Sequence, residues 1–366
     1  MINYDGNDDD ESAPDGQYIQ PDADSFYFKS GQINYDLLCD VAAHVDRQLI
    51  KANNDGSIII FLPGIAEIDK CCRLLKSSKN ENNLVVLPLH SALTPEDQKR
   101  VFRRYPNMRK IVVSTNIAET SITIDDCVAT IDTGRAKTMY YNPKDNTTRL
   151  IESFISRAEA KQRRGRAGRV REGLSYKLFS KRLYEEDMVD MPTPEIKRVA
   201  LESLYISVKA MGIKNVTKFL ASGLECPPLD ALKKAERMLS TVGLLDSEDF
   251  ALTELGRFIS LMPVMDSKHG KLLIYSILFG ITDIGVLVTS LLSIGGLPFI
   301  SGMENRDKIK KILSKYKTKG DVLAAVQIIQ EYLQIDDKMK RRQFMKDNLL
   351  SYNRMNDIMS SRVQYY

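Results

Sequence analysis

Along the first half of the chain, short apolar runs alternate with stretches whose apolar residues recur every three or four positions. Ile58 to Leu62 is apolar throughout, the pattern of a strand buried on both faces, and Pro63-Gly64 stops it. Ile65 to Leu75 has helical spacing, and Leu84 to Leu89 reads as the next strand. Thr94 caps a helix that runs through Phe102 with Pro95 at its first position. Ile111 to Val113, Val128 to Ile131 and Leu174 to Phe179 complete the strands, and Leu37 to Ile50 supplies a helix that opens the domain. Such alternation is the signature of a parallel α/β sheet. One interruption, Lys137 to Ile155, holds the turn residues Asn142-Pro143-Lys144-Asp145-Asn146 between two strand-like arms and predicts a protruding β-hairpin.

After Pro192 the period becomes helical. Pro194 to Met211 and Leu229 to Val242 predict helices, Phe250 to Thr253 a short strand and Glu254 to Leu261 a further helix. Helices with one small hairpin between 186 and 260 fit a winged-helix module. From Pro263 onward everything reads helical. Leu272 to Leu292 is apolar enough to raise a membrane span, but Asp283 near its centre and glycines at 280 and 285 favour two buried helices. The expected order is therefore an acidic segment at 1–28, an α/β domain at 29–185 with its hairpin at 137–155, a winged helix at 186–260 and a helical domain at 261–366.

Composition narrows the function. The opening 25 residues carry eight Asp/Glu and no Lys/Arg, a disordered acidic segment by its chemistry. Overall charge is only +4 in 366 residues, so a nucleic-acid surface must come from local clustering. The five cysteines show no CxxC pairing, which fits free thiols in a reducing compartment, and Cys71 and Cys72 share one helix. His44, His90 and His269 lack metal-ligand spacing, so no zinc site is expected. The start of the chain is acidic and does not resemble a signal peptide. A cytoplasmic protein follows, with the nucleus or nucleolus as alternatives, and no membrane.

Charge clusters in one place. Between Arg157 and Arg171 there are seven Lys/Arg and one acid, Glu159, and the centre reads Gln162-Arg163-Arg164-Gly165-Arg166-Ala167-Gly168-Arg169. Arg166 and Arg169, three apart, would share a face on one turn of helix, and the two glycines would let another surface approach. Guanidinium forks suit phosphate oxygens, although most arginine runs are solvated faces. Some fifty residues earlier a β-branched strand opens onto a polar loop, Ser114-Thr115-Asn116-Ile-Ala-Glu119-Thr-Ser-Ile-Thr-Ile124-Asp125-Asp126.

The two stretches together resemble motifs V and VI of the DEAH/RHA branch of superfamily 2 RNA helicases. The resemblance extends to Phe61-Leu-Pro-Gly64 with Glu67-Ile68 (motif IV), to Leu89-His90-Ser91-Ala-Leu93 (motif IVa) and to Asp132-Thr-Gly-Arg-Ala-Lys137 leading into the hairpin. Pro194 to Arg198, Pro227-Pro228, Leu252 to Arg257 and Leu261 to Lys271 resemble later signatures, so it covers the chain from about residue 30 onward. It implies a RecA-like second domain followed by a winged helix and an all-α, HA2-like ratchet. By motif, Gln162, Arg166 and Arg169 would act on ATP, the arginines as fingers on the γ-phosphoryl group and Gln162 on the attacking water. Asp125 would bond the ribose, and Phe102 would stack on adenine unless it is an ordinary core residue of its helix. Gly64, Ser91, Thr115 and Asn116 would meet the RNA backbone, with simple capping as the alternative for Ser91 and Thr115. Arg306, Lys308, Lys310, Lys311, Lys315, Lys317 and Lys319 could form a further basic surface or a solvated face.

The departures matter as much. A nucleoside triphosphatase of this kind needs a Gly-x-x-x-x-Gly-Lys-Ser/Thr loop and an acidic magnesium motif, and the 366 residues hold neither; Gly270-Lys271 is followed by Leu272. The resemblance therefore implies the carboxyl-side half of a helicase. ATP and Mg²⁺ would be bound mainly by a first RecA-like domain of the full-length chain, and the fragment alone would be inactive. Cys226 stands where the family has Asp, and Gly320-Asp321-Val322 replaces the Ser/Thr-Asp-His of the ratchet. Expected partners are single-stranded or structured RNA and, since the motif V ending resembles RHA-like, translation-associated members, ribosome or RNP components; the protein itself would be a monomer. The rival reading is a non-catalytic RNA-binding adaptor that retains the fold, and the sequence upstream of Met1 discriminates the two.

Overall fold

Buried strand β1, Ser57–Phe61, sits at the centre of a five-stranded parallel sheet. The computed structural model describes residues 32–77, 83–120, 122–142, 147–168, 172–263, 266–300, 305–316 and 320–366. The acidic segment 1–28, Pro143 to Asn146 of the hairpin turn, Arg169, Lys317 and Lys319 lie outside the described residues. Two compact units follow, one of 1–140 with 148–194, the other of 141–147 with 195–366.

In the first unit β1 pairs with β3 (Arg109–Ser114) and β4 (Cys127–Asp132), β3 in turn with β2 (Leu84–Leu89) and β4 with β7 (Leu174–Lys177), so the sheet runs β2-β3-β1-β4-β7. Period-two alternation divides β1 between two cores. Ile58 and Ile60 pack with helices α1 (Tyr35–Lys51) and α2 (Ile65–Ser77), while Ile59 and Phe61 face Val101, Val112 and Ala118 on the other side. Helix α3, Pro95–Lys99, carries the expected Thr94 cap but tightens into a 3₁₀ turn at Arg100–Phe102. Helix α4 is the single turn Ile117–Thr120. Strands β5 (Arg135–Asn142) and β6 (Thr147–Phe154) form the predicted hairpin as a separate two-stranded sheet, and α5, Arg157–Arg164, follows it.

In the second unit two expectations change. The helix predicted from Pro194 to Met211 is a 3₁₀ turn, Glu195–Lys197, followed by α6 at Glu202–Ala210. The Arg198 carbonyl, which a continuous helix would give to residue 202, accepts instead from the Tyr141 N–H at 2.8 Å. The strand predicted at Phe250 to Thr253 reduces to one bridge between Leu245 and Leu252. There Asp246 and Asp249 accept from the Glu248 and Ala251 amides, Asx turns that compete with a ladder, and Phe250 takes a left-handed φ of 53°. Helices α7 (Val216–Ala221), α8 (Leu229–Thr241) and α9 (Glu254–Ser260) pack with α6 around Tyr205, Leu232 and Leu244.

The apolar stretch near 272–292 is two helices, α10 (Ser267–Leu278) and α11 (Thr282–Ser293), turned at Gly280 with φ 69°. Asp283 lies in the first turn of α11, where a carboxylate meets the positive end of the helix dipole. Among the described residues no helix is long and apolar enough to cross a membrane. Helices α12 (Arg306–Leu313), α13 (Asp321–Leu333), α14 (Lys338–Asp347) and α15 (Tyr352–Tyr365) close a second cluster around Leu287, Ile328 and Ile358.

Gly256 allows α9 to sit on the preceding turn, because a Cβ there would stand 2.1 Å from the Leu244 carbonyl oxygen. Gly256→Ala is expected to cost about 1–3 kcal/mol through this overlap. A urea unfolding midpoint unchanged from wild type would refute the close contact.

Candidate functional site

The carboxyl ends of the strands are level. Leu89, Ser114, Phe61, Asp132 and Lys177 lie in register across the sheet, so the loops that follow emerge from one edge. Backbone bonds continue beyond the strands: Thr115 N–H donates to Leu89 O at 3.2 Å, Leu62 N–H to Ser114 O at 2.8 Å and Leu178 N–H to Asp132 O at 2.8 Å. Thr133 Oγ1 donates to the Phe61 carbonyl at 2.8 Å. Gly64, Ser91, Thr115 and Asn116 all stand on or beside this edge. Gly64 is buried, and a Cβ would lie 2.6 Å from Glu67 Oε2, whose carboxylate holds Lys137 Nζ at 2.8 and 2.9 Å. Ser91 is exposed beside His90, a buried ring whose Nδ1 has no partner among the described residues and whose pKa burial pushes down.

Beneath the edge lies Arg163, which the sequence marks only as one of a basic run. Its side chain is 0% exposed. Nε donates to Glu119 Oε2 at 3.1 Å, Nη1 to Asp132 Oδ1 at 2.7 Å and Nη2 to Asn116 Oδ1 at 2.7 Å, with the guanidinium 4.9 Å from the Phe61 ring centroid. One cation thus joins the end of β4, the loop after β3 and helix α5. Burial alone would lower the Arg163 pKa, but Asp132 and Glu119 outweigh it and hold the guanidinium above its ordinary value. For Glu119 burial is the larger influence and raises its pKa, while Arg163 pulls in the opposite direction. A sequence signal for this hub exists in retrospect: Asp132 closes a wholly buried strand, and such a carboxylate demands a cation.

Helix α5 starts with a capping box, Ser156 Oγ accepting from Glu159 N–H at 3.2 Å and Glu159 Oε2 from Ser156 N–H at 2.7 Å. It ends at Arg164, so Arg166 lies in the turn beyond the helix. Gly165 caps the helix, and a Cβ at Gly168 would meet nothing within 4 Å, so among the described residues the chain itself does not approach there. Gln162 is exposed on α5. Arg166 is buried, with Nη2 donating to the Glu119 carbonyl and Nη1 to the Ile122 carbonyl at 3.3 Å. Both acceptors lie between β3 and β4.

Phe102 and Asp125 lie away from this edge, close to the amino ends of β3 and β4, and both are exposed. Phe102 is 53% exposed, which excludes the ordinary core role. Residues expected to meet RNA thus gather on one edge of the sheet. Those expected to meet base and ribose gather around 102–126, and Arg166 is bonded to the loop between. Among the described residues no group of three or more His, Cys, Asp or Glu could hold a metal ion.

Comparison with known proteins gives the family. Residues 40–171 match the helicase conserved C-terminal domain. The chain is 67% identical over 365 residues to a putative ATP-dependent RNA helicase of Saccharomyces cerevisiae, covering 100% of this chain and 25% of that protein. It is 36% identical over 351 residues to the putative ATP-dependent RNA helicase ucp12 of Schizosaccharomyces pombe, covering 91% and 26%. With the human ATP-dependent RNA helicase DHX29 the identity is 38% over 260 residues, covering 70% and 19%. The chain therefore spans about a quarter or less of the length of these relatives. The domain match and the relatives, some of them named as DEAH-box or DExH-box helicases, show the family: the chain belongs to the DExH/DEAH-box ATP-dependent RNA helicases and carries their conserved C-terminal helicase domain.

Proposed function

We propose that this chain is the second RecA-like domain, the winged helix and the ratchet of an ATP-dependent helicase of the RHA-like subgroup that moves 3′ to 5′ along single-stranded RNA. Gly64, Ser91, Thr115 and Asn116 meet the RNA backbone. Phe102 stacks on the base, Asp125 bonds the ribose, and Arg166 with Arg169 stabilises charge on the γ-phosphoryl group while Gln162 orients water. Triphosphate and Mg²⁺ are held mainly by a first RecA-like domain. What this chain would offer the phosphates is guanidinium, the fork of Arg166 beside the loop after β3. The winged helix and ratchet complete the RNA channel, and the chain by itself turns over no ATP.

The observation that carries this reading is the hub at Arg163, which fastens Asn116 of the RNA edge and Glu119, the backbone partner of Arg166, to one cation. The two substrates are thus served by neighbouring residues of one loop. The test is RNA-stimulated ATPase of the full-length protein carrying Ser91→Ala with Thr115→Val. Loss of two hydroxyl contacts is expected to raise the RNA concentration for half-stimulation about tenfold. The KM for ATP should not move. An unchanged RNA requirement refutes the edge assignment, and RNA binding with no turnover in the wild type favours the adaptor.

A further inference from the structure

Lys110 is the second residue of β3, yet its side chain is only 4% exposed. Its Nζ donates to the carbonyls of Val101 at 2.6 Å and Arg103 at 3.2 Å, and pairs with Asp126 Oδ1 at 2.8 Å. An ammonium has three N–H donors, and here three acceptors take them. Two of those acceptors flank Phe102 on either side, and the third belongs to the neighbour of Asp125. Asp126 is itself fixed to β1, accepting from Ser57 Oγ at 3.0 Å through Oδ1 and from Ser57 N–H at 2.7 Å through its backbone carbonyl.

From this geometry we infer that Lys110 is a positioning residue for nucleotide, bracing the Phe102 turn against the loop end that carries Asp125; the inference rests on the nucleotide roles proposed above for those two residues. The turn needs a brace. It is a three-residue 3₁₀ segment whose Val101 is wholly buried while Phe102 projects outward, and its closing Arg103 N–H bond to Arg100 O is 3.2 Å. Beside it opens a cavity of about 900 Å³ lined among others by Arg104, Tyr105, Lys110, Asp125 and Asp126. The lysine stem fixes how far the ring of Phe102 stands from the Asp125 carboxylate, and so whether one nucleoside can meet both. Loss of the brace weakens ground-state and transition-state binding alike, which raises KM and leaves kcat alone.

The experiment uses the full-length protein with Lys110→Met, Phe102→Ala, Asp125→Ala, Asp126→Asn and the double variant Lys110→Met/Phe102→Ala. ADP affinity is read by calorimetry, ATP KM and kcat are measured at saturating RNA, and thermal unfolding checks each variant. Lys110→Met keeps the stem and is expected to weaken ADP binding and raise the ATP KM by about tenfold, through two carbonyls that lose their donor and a carboxylate left without its cation. Its kcat should stay within about twofold of wild type. Because Lys110 acts through Phe102, the double variant should bind ADP no more than about threefold weaker than Phe102→Ala alone. A folded Lys110→Met with wild-type ADP affinity overturns the inference while Phe102→Ala and Asp125→Ala still weaken binding, and so do losses that multiply in the double variant. Unchanged affinity in both Phe102→Ala and Asp125→Ala overturns the nucleotide reading, and this inference with it. Should Lys110→Met not fold, Asp126→Asn takes its place in the same cycle, with a loss of about threefold expected; an unchanged affinity there overturns the brace.

Discussion

Arg166→Ala is expected to lower RNA-stimulated ATP turnover of the full-length protein by about a hundredfold or more, the scale on which a missing arginine finger is felt. The loss should fall on kcat, because charge on the transferred phosphoryl group develops only in the transition state. Arg166→Lys retains a cation without the planar fork and should recover only part of the rate. A second effect follows from where the side chain rests. Its bonds to the Glu119 and Ile122 carbonyls hold the segment between β3 and β4, so the alanine variant should also melt a few degrees lower. Turnover within about threefold of wild type at an unchanged melting temperature would remove Arg166 from catalysis.

Arg163→Met is expected to destabilise the sheet domain by about 3–5 kcal/mol, since it strands two buried carboxylates that shared one cation. Methionine keeps the stem, so the loss measures the guanidinium and not a cavity. The dependence on pH has a definite sign. Burial already pushes the Glu119 carboxyl up, and removing the arginine removes the influence that opposed it. The folded variant then binds protons more tightly than the unfolded chain, so the deficit shrinks as pH falls and is largest at neutral and alkaline pH. Urea titrations of wild type and variant at pH 7.5 and pH 5.5 check both statements, and a deficit below about 1 kcal/mol at the higher pH would show that the hub is dispensable.

The sheet was legible because its strands are buried on both faces. Ile58 to Leu62 and Ile111 to Val113 leave a continuous apolar trace, and Pro63-Gly64 marks where one of them stops. Boundaries moved by at most two residues, as where the polar ends Arg109 and Lys110 are buried by their partners. The motif residues were legible as types, but their neighbours in space were not. Glu119 and Asp132 reach Arg163 across 44 and 31 positions, distances at which local spacing carries no information. Lys110 was hidden for a related reason, as a charged residue before an apolar run reads as a strand end facing water. In the second unit the misread helix and strand share one cause. A carbonyl or amide that local periodicity assigns to its own element is taken by a partner elsewhere, Tyr141 in one case and an Asx side chain in the other.

Arg163, Glu119 and Asp132 also constrain how this domain can vary. A well-packed apolar trio of similar volume would serve the sheet about as well as three desolvated ions. Any route to it by single substitutions must cross an intermediate with an uncompensated buried charge. The first step costs several kcal/mol against a domain stability of about 5–15 kcal/mol, and only the last step returns it. Drift at these three positions is therefore blocked by the path, whatever the merit of its end point, and exchange of any one of them requires its partners to change in the same event.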